Sequence, residues 1–462
     1  MADTNEGVPY VEVIKSFKQK LHDAPTPFLD SDNKEVWPDE KSSLKNRKIV
    51  PLTDNSPLIT VFGPKIDKGP IPEQTQIFGE RVCARTISTY PQQTLGNTGQ
   101  RDGDPVCDRY GFYLFTNRSI VVVADGCNWG ERPRRAAERA RNSVMGYLKE
   151  KNSKIKTVSD AELYLLRSFN EAHNRICEKL NPDEEIGSTT LLAGIALEIE
   201  GENGAPNEWA FVCTSVGDCK AFLIRESSRC IVDITMNNRV ETKNATDCGG
   251  RLGPVMPDGG PDLRNLVTFC CRVLPGDMIM VMSDGVHDNL DPQLLGITPS
   301  ELSIKDYTTW EEVPPSVACI VKSKFALRLL NILHNDIDEP LTAKRSVNIL
   351  INHALKVTST TREWAQLNPR FKLPEDYRKF PGKVDHTTCV AFEVGTSYQG
   401  LSPIFDNFQN SISTFHKKYE KLIQQEQIKL SNQFYQVNMP LQVTVCSTEK
   451  NIILYCRTIH TG

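Results

Sequence analysis

Two apolar runs in this chain end abruptly in Asp-Gly: Ile120-Val121-Val122-Val123-Ala124-Asp125-Gly126 and Met278-Ile279-Met280-Val281-Met282-Ser283-Asp284-Gly285. Continuous runs of β-branched and aliphatic residues predict buried strands, so each carboxylate would stand at a strand end, fixed by the scaffold and exposed in the following loop. A third acid, Asp385, lies just before another strand-like run at 388–394. These distant segments would bring carboxylates to one edge of a sheet assembly, where paired acids can share a cation.

The same dipeptide is also among the commonest turn signals, because glycine supplies a positive φ at no steric cost. Taken alone, either Asp-Gly is explained as a plain turn. A functional site is therefore indicated only by the other acidic turns in the chain.

The composition is that of a globular protein. The 462 residues are 39% hydrophobic, which supports a substantial core. The 54 basic and 58 acidic residues leave a formal net charge of −4, so bulk charge favours neither nucleic acid nor an anionic membrane as the main partner. The N-terminus lacks the basic and apolar regions of a signal peptide, and no apolar run approaches the roughly 20 residues that span a bilayer.

The fourteen cysteines are scattered through strand-like and helical segments. Without a secretory signal, this pattern favours reduced, partly buried thiols over a disulfide framework, and we expect a cytoplasmic or nuclear protein. A zinc site is not indicated, because the chain has no Cys-x-x-Cys and its eight histidines show no ligand spacing.

The texture of the sequence divides the chain into three parts. Residues 1–75 are rich in Pro, Asp, Lys and Ser and are interpreted as an arm that is attached to the body in places. Residues 76–395 form the main domain, in which 296–382 are interpreted as an inserted lobe, and 396–462 are interpreted as a C-terminal helical extension. Strands are predicted at 119–124, 190–198, 209–214, 220–224, 267–272, 277–282 and 388–394.

Helices are predicted at 132–149 and 161–180. Asp160 is the expected N-cap of the second helix, whose apolar face would include Leu163 and Leu166. Four arginines of the first helix alternate with acids and are interpreted as a solvated face rather than an anion site: Arg134, Arg135, Arg139 and Arg141.

In the C-terminal extension, apolar residues recur at spacings of three and four: Phe405, Phe408, Ile412, Phe415, Tyr419 and Leu422. The seam is shorter than the three or four heptads that indicate a coiled coil. Docking of this helix on the domain is therefore favoured, and a partner bound through the C-terminal helix is the alternative.

Acids recur in loops and at strand ends along the whole domain: Asp104, Asp108, Asp125, Asp218, Asp284, Asp288 and Asp385. Carboxylates without His or Cys are hard oxygen ligands, which suit Mg²⁺ or Mn²⁺. One bridging carboxylate can hold two such ions roughly 3.5–4 Å apart and activate a water between them. The pattern therefore predicts a dinuclear site.

Seven short motifs follow one another along the chain: Asp125-Gly126, Gly187-Ser188-Thr189, Val216-Gly217-Asp218, Gly249-Gly250-Arg251, Pro275-Gly276-Asp277, Ser283-Asp284-Gly285 with Asp288, and Asp385. Each is weak alone, but in this order, each at a predicted strand or turn, they resemble the type 2C metal-dependent serine/threonine protein phosphatases over about residues 95–395. The resemblance implies an α+β fold with a central sandwich of two antiparallel β-sheets flanked by helices. It also implies hydrolysis of phosphoserine or phosphothreonine in a phosphoprotein substrate.

The resemblance also implies roles for single residues. Asp125 would bridge two ions, Gly126 would contribute its carbonyl oxygen, and Asp284 and Asp385 would ligate one ion. Asp218 would help to hold a weaker third, so two or three Mg²⁺ or Mn²⁺ ions per subunit are expected.

The first acidic segment, 100–108, supplies two further assignments. Arg101 resembles the arginine that grips the phosphate, a task for which a planar fork suits better than lysine. Asp104 is favoured as the ligand by its distance from Asp125 in the sequence, and Asp108 is the alternative.

Two positions depart from the family pattern. Cys127-Asn128-Trp129 stands where the family often has His-Gly-Gly, so the usual histidine for protonating the leaving alcohol is missing, as in some bacterial-type members. His386 stands where an Asn or similar residue often follows the last Asp. The chain is therefore interpreted as a divergent member, closer to the bacterial-type pattern.

Three classes of function remain open. The intact acids favour an active phosphatase, because clustered carboxylates repel one another without a metal. Cys127, Trp129 and His386 favour a catalytically weak or inactive scaffold that binds a phosphoprotein or another partner. A structural protein whose acids are all turn residues is the third class.

Overall fold

The computed structural model describes residues 44–66, 68, 74–77, 80–92, 101–225, 230–236, 238–239, 247–335, 341–369, 371–395, 441–447 and 452–458. The chain divides into two compact units, Met1–Thr396 and Ser397–Gly462. Among the described residues, no helix combines the length and the apolar character that crossing a membrane requires.

The described part of the first unit contains two antiparallel sheets of six strands each. The first sheet has the order β1 (Ile59–Gly63), β4 (Arg109–Leu114), β5 (Arg118–Gly126), β6 (Thr189–Ile199), β7 (Glu208–Val216) and β10 (Val267–Val273). The second has the order β2 (Gln74–Ile77), β3 (Val82–Ser88), β12 (His386–Glu393), β11 (Met278–Met282), β8 (Lys220–Ile224) and β9 (Ile231–Asp233).

The two sheets pack face to face through aromatic side chains. Phe112 of β4 and Phe392 of β12 have ring centroids 5.1 Å apart, and Phe211 of β7 lies 6.4 Å from the same Phe392 ring. All three rings are fully buried, as expected for large aromatic residues between two sheets. The α+β sandwich that the resemblance implied is confirmed.

Helices cover the outer face of each sheet. Against the first sheet pack α1 (Glu131–Lys151) and α2 (Val158–Cys177), whose buried alanines and aliphatic residues share a core with β5 and β6. On the side of the second sheet lie α3 (Asp284–His287), α4 (Pro315–Asn335), α5 (Ala343–Val357) and α6 (Ser359–Leu367). Each central strand therefore buries both faces, which explains the continuous apolar sequences of β5 and β11.

The two predicted helices are confirmed, but two details of them were wrong. The N-cap of α2 is Thr157, not Asp160: Thr157 Oγ1 accepts from the Asp160 amide at 3.1 Å, and Asp160 Oδ2 accepts from the Thr157 amide at 2.9 Å. This reciprocal pair is a capping box, so Asp160 stands at the third helical position. Leu163 and Leu166 are 42% and 40% exposed and lie outside the buried face.

The arginines of α1 are not all solvated. Arg141 is only 6% exposed; its guanidinium lies 4.7 Å from the Phe62 ring centroid and donates to the Tyr110 carbonyl at 3.2 Å. The long aliphatic stem of arginine allows such burial on a helix that packs on a sheet. The predicted interleaving of arginines with acids is confirmed for Arg134, which pairs with Glu131 and Glu138.

Residues 296–382 belong to the helical layer of the second sheet rather than to a separate lobe. Phe325 and Leu330 of α4 and Val347 and Leu350 of α5 share one core with β11 and β12. The length that suggested an insertion therefore reflects helices that cover a sheet face.

The ends of the chain also differ from the prediction in part. Leu44 and Ile49 of the arm are buried in the core of the first sheet, and β1 is its edge strand. In the C-terminal unit, β13 (Leu441–Ser447) and β14 (Ile452–Thr458) form an antiparallel hairpin, so this extension is not helical throughout. The predicted seam from Phe405 to Leu422 lies outside the described residues.

Candidate functional site

The first sheet contributes two carboxylates to one edge of the sandwich. The register pairs Arg109 with Ala124, so Asp108, just before β4, lies next to Asp125, near the end of β5. Asp108 is fully buried, and its Oδ2 accepts from Ser283 Oγ at 2.8 Å. Because Ser283 directly follows β11, this hydrogen bond joins the first sheet to the second at the proposed site.

The second sheet contributes two carboxylates that converge on one lysine. Asp284 follows β11 and Asp385 precedes β12, the neighbouring strand. Lys383 Nζ pairs with Asp284 Oδ2 and lies 3.0 Å from Asp385 Oδ2. The sequence prediction that these two acids come together is consistent with this geometry, but a basic side chain lies between them.

Two further acids extend the cluster towards β8. Arg239 Nη2 lies 2.9 Å from Asp218 Oδ2 and 3.0 Å from Asp288 Oδ1, so one guanidinium bridges both carboxylates. Lys383 Nζ is 3.2 Å from the other oxygen of Asp288. The acids of five separate chain segments are therefore joined in one buried cluster.

Most of these carboxyl groups are difficult to ionise together. Burial and the charge of Asp284 raise the pKa of Asp125 well above its usual range. Burial, opposed by hydrogen bonds from Thr388 and Ser283, raises the pKa of Asp108 to about 7. Burial also raises the pKa of Asp218 to about 8 and that of Asp385 to about 6.

The acids nearest to the basic groups behave in the opposite way. Burial alone would raise the pKa of Asp284, but Lys383 brings it below the usual value. Arg239 and Lys383 likewise outweigh burial at Asp288 and hold its pKa far below the usual value. In spite of burial, Asp284 and Asp385 raise the pKa of Lys383 well above its usual range, so its ammonium is charged.

The cluster has an excess of negative charge. Six carboxylates share two permanently charged basic partners among the described residues, Lys383 and Arg239, which leaves four formal negative charges when all groups are ionised. Two buried oxygens, Oδ1 of Asp108 and Oδ1 of Asp218, have no hydrogen-bond partner in the described part of the chain. Hard, unpaired oxygens of this kind suit Mg²⁺ or Mn²⁺.

The donors fit a divalent cation only in part. Asp108 and Asp125 form the end of the cluster to which Lys383 makes no ion pair, and Gly126 directly follows Asp125 in the chain. Asp284 and Asp385 are instead held by the lysine. Within the described ranges, no group of three or more His, Cys, Asp or Glu side chains is arranged to hold a metal ion.

The first acidic segment favours Asp108 over Asp104 as a member of the cluster. Asp104 lies in the preceding turn, where its Oδ2 accepts from the Arg101 amide at 2.9 Å. The Arg101 guanidinium donates to the Tyr90 carbonyl at 2.9 Å, and the Tyr90 hydroxyl donates to Asp385 Oδ1 at 3.1 Å. Arg101 is thus linked to the acids through Tyr90.

His386 is a buried structural neighbour of the site. It is 2% exposed; its Nδ1 accepts from the Cys107 amide at 3.3 Å, and its own amide donates to Asp385 Oδ1 at 2.8 Å. Burial lowers the pKa of His386 to about 4. Burial therefore favours the neutral form of the ring near pH 7.

Cys127 and Trp129 border a cavity of about 460 Å³ beside Gly126, also lined by Arg132, Ser188 and Arg251. Cys127 and Cys248 share a hydrogen bond. This bond is the main reason, followed by burial, that the pKa of Cys127 is raised. The same bond lowers the pKa of Cys248 to about 6. Arg251 Nη1 lies 3.8 Å from Cys248 Sγ. The cavity therefore presents basic and polar groups next to the end of β5.

Sequence reasoning missed Lys383 and Arg239. The sequence did contain a signal for Lys383, because this residue lies two positions before Asp385, which directly precedes a predicted strand. For Arg239 the sequence carried no comparable signal, because this residue, which reaches Asp218 and Asp288, follows β9 and belongs to no strand or helix.

One curated relative matches part of the chain. Over 222 residues, the chain is 29% identical to a Drosophila melanogaster protein named PP2C-like domain-containing protein CG9801. The match covers 45% of this chain and 29% of that protein, so the chain aligns with less than a third of the relative's length. The resemblance that the motifs indicated is confirmed at this level, whereas the bacterial-type pattern stays a prediction. No family model matches the chain.

Several solved structures match the chain at low sequence identity and with TM-scores below 0.5. The photosystem II phosphatase PBCP has a TM-score of 0.38 at 16% identity, covering 70% of this chain and 99% of that chain. The PPM Ser-Thr phosphatase MsPP from Mycobacterium smegmatis has a TM-score of 0.34 at 15% identity, and the match covers 74% of this chain and 100% of that chain. The catalytic domain of the serine threonine protein phosphatase PstP, in complex with manganese, has a TM-score of 0.33 at 14% identity, and the match covers 68% of this chain and 98% of that chain.

Proposed function

We propose that this chain, part of which is similar to a protein named PP2C-like domain-containing protein, hydrolyses phosphoserine and phosphothreonine in proteins and depends on Mg²⁺ or Mn²⁺. The observation that carries the proposal is the buried cluster of six carboxylates at the edge of the sandwich, whose negative charge exceeds that of its basic partners. A scaffold gains nothing from uncompensated buried charge, which destabilises the fold unless a cation is bound.

Asp108, Asp125 and the Gly126 carbonyl would hold the ion. Ser283 fixes the orientation of the Asp108 carboxylate through the 2.8 Å hydrogen bond, so this donor is preorganised by the second sheet. When bound, the cation would supply positive charge for the phosphate and activate a water for attack on phosphorus.

The cavity beside Gly126 would receive the substrate. Arg251 and Arg132, which also pairs with Glu185 at 2.8 Å, give its wall basic groups that suit a phosphate, and Trp129, which is 55% exposed, offers an apolar surface for the peptide. Arg101, whose guanidinium donates to the Tyr90 carbonyl, would also bind the phosphate. Specificity would then reside in this wall, because the metal end of the site recognises only a phosphate.

The test is a titration of Mn²⁺ into the full chain with a phosphopeptide as substrate. Asp125→Asn should lower kcat/KM on the order of a hundredfold or more, because it removes a group at the reacting centre. Asp183→Asn, which changes an exposed acid far from the cluster in the sequence, is the matched control and should leave the rate unchanged. A wild-type protein that turns over no phosphopeptide at any Mn²⁺ concentration would overturn the proposal.

A second function is favoured by Lys383. Its ammonium satisfies Asp284, Asp288 and Asp385 without any metal, as a non-catalytic phosphatase-like scaffold would require. Binding of a phosphopeptide without turnover, unchanged in Asp125→Asn, would support the scaffold.

A further inference from the structure

Lys383 lies among the carboxylates that the second sheet contributes to the site, Asp284, Asp288 and Asp385. We infer that its ammonium is a built-in cation that takes the place of one divalent ion, so that the site binds one divalent ion fewer than its carboxylates would otherwise hold. This inference rests on the proposed divalent-cation dependence of the same site.

The contacts of Lys383 are those of a ligand-bound cation. An ammonium has three N–H donors, and this one faces three carboxylates: Asp284, Asp288 at 3.2 Å and Asp385 at 3.0 Å. Its side chain is 23% exposed, whereas that of Asp288 is 1% exposed. A divalent ion bound to the same oxygens would overlap the ammonium, because both need contact distances of about 2 to 3 Å.

The backbone holds Lys383 in this position. Its amide donates to Asn289 Oδ1 at 3.0 Å, and Asn289 Nδ2 donates to the Lys383 carbonyl at 3.1 Å. The same Nδ2 donates to the Gly285 carbonyl at 2.8 Å, next to Asp284. Asn289 therefore ties the lysine to the turn that carries its carboxylate partner.

The residue before the lysine contributes to this geometry. Gly382 has a φ of +84°, and a Cβ at this position would lie 2.7 Å from Asn289 Oδ1. The positive φ and the close approach both require glycine. The loop is thus shaped to deliver the lysine into the cluster.

The opposite end of the cluster has a different balance of charge. Among the described residues, Asp108 and Asp125 form no ion pair with Lys383 or Arg239, and Asp108 Oδ1 has no hydrogen-bond partner there. A divalent ion would therefore bind at the Asp108–Asp125 end, while the Asp284–Asp385 end carries its own cation.

The experiment measures Mn²⁺ binding by the full chain, with isothermal titration calorimetry and with electron paramagnetic resonance of free Mn²⁺. Lys383→Met removes the charge and keeps the length of the side chain. Lys379→Met is the control, because Lys379 is 77% exposed and pairs with Asp376 on the surface. We expect Lys383→Met to bind one more Mn²⁺ than the wild type, or to bind its weakest ion at least about tenfold more tightly, and Lys379→Met to match the wild type.

Equal numbers of ions and equal affinities in the wild type and Lys383→Met would overturn the inference, including the case in which neither binds Mn²⁺. The thermal unfolding of Lys383→Gln provides a second readout, which also covers a Lys383→Met protein that fails to fold without metal. The melting temperature of Lys383→Gln should rise more with Mn²⁺ than that of the wild type, and an equal rise would contradict the inference.

These results are separate from those that test the proposed function. A wild type that turns over phosphopeptide while binding as many ions as Lys383→Met would overturn the inference and keep the function. Extra Mn²⁺ binding in Lys383→Met without turnover in any variant would overturn the function and keep the inference.

Discussion

The two Asp-Gly strand ends have the same sequence pattern and opposite electrostatics. At the end of β5, Asp125 is half-buried, and burial together with Asp284 raises its pKa well above the usual range. After β11, Asp284 is 7% exposed and has a lowered pKa, because Lys383 outweighs the effect of burial. The partner that makes the difference lies 99 residues further along the chain.

The glycines of the two motifs are alike in a way that the turn interpretation did not anticipate. Neither has a positive φ. A Cβ on Gly126 would lie 2.5 Å from the Pro133 carbonyl oxygen, and a Cβ on Gly285 would lie 2.1 Å from that of His386. Both positions need glycine because another backbone segment passes close by, so each motif marks a crowded point of the fold rather than a simple turn.

The largest effect that separates the two strand ends is expected for Gly285→Ala. Its Cβ would meet a backbone oxygen in β12 that cannot move without disturbing the second sheet, so we expect a loss of about 3 kcal/mol in the free energy of unfolding. Gly126→Ala should cost less, because the contact is longer by several tenths of an ångström. Chemical denaturation measures both.

Gly146→Ala is the matched control for these two variants. It lies within α1, where a Cβ would meet nothing within 4 Å among the described residues apart from its chain neighbours and the backbone of its own helix, so alanine should stabilise the protein by about 0.5 to 1 kcal/mol. A Gly285→Ala protein as stable as the wild type would show that the β12 backbone does not restrict this position.

A smaller effect is expected for neutralising the two acids in the absence of divalent ions. Asp284→Asn removes an ionised, buried partner of Lys383 and should cost about 2 kcal/mol, because the lysine keeps Asp288 and Asp385. Asp125→Asn should cost less, because burial and the charge of Asp284 disfavour the ionised form of Asp125, which forms no ion pair with Lys383 or Arg239. Equal costs in EDTA would contradict the electrostatic difference between the two ends.

The smallest expected effect is a pH-dependent change in the free energy of unfolding. It concerns His353, which bonds Asn289, the residue that holds the turn after Asp284. His353 Nε2 donates to the Asn289 carbonyl at 2.9 Å, and burial lowers the pKa of His353 from 6.5 to about 4. Between these values the unfolded chain binds a proton that the folded chain does not, so stability is complete above pH 6.5 and falls as the pH falls towards 4.

The measurement compares the pH dependence of the unfolding free energy in the wild type and in His353→Gln. The variant should lose a slope equivalent to about one proton in this window, while the contributions of His334 and His386 stay in both proteins. Identical slopes would show that His353 is not held neutral by its burial.

Much of the fold was predictable because the central strands are buried on both faces. The runs that end at Asp125 and Asp284 and the run after Asp385 are strands in the structure, since continuous β-branched and aliphatic sequence is stable only between two covering layers. The edge strands β1, β2 and β9 were missed, and so were β3 and β4. In β4, Arg109 and Tyr110 interrupt the apolar pattern although both are buried.

Part of the site was predictable for the same reason. Acids at strand ends on one edge of a sandwich meet once the strands pair, which explains how Asp125, Asp284 and Asp385 could be grouped from the sequence. The choice between Asp104 and Asp108 depends on the register of β4 with β5, and on the hydrogen bond from Ser283 across the two sheets. The number of residues between Asp104 or Asp108 and Asp125 predicts neither this register nor this hydrogen bond.

Local sequence properties, namely apolar runs and turn residues, were enough to predict buried strands with acids at one edge of a sheet assembly, and the resemblance carried by the order of the motifs implied the sandwich. The charge state of that edge follows from tertiary contacts alone. Lys383 and Arg239 reach the acids from distant segments, and an electrostatic interaction in a buried site depends on distances and dielectric environment that no local pattern contains. The same Asp-Gly therefore carries an ionised, lysine-bound carboxylate at one strand end and a carboxyl with a raised pKa at the other.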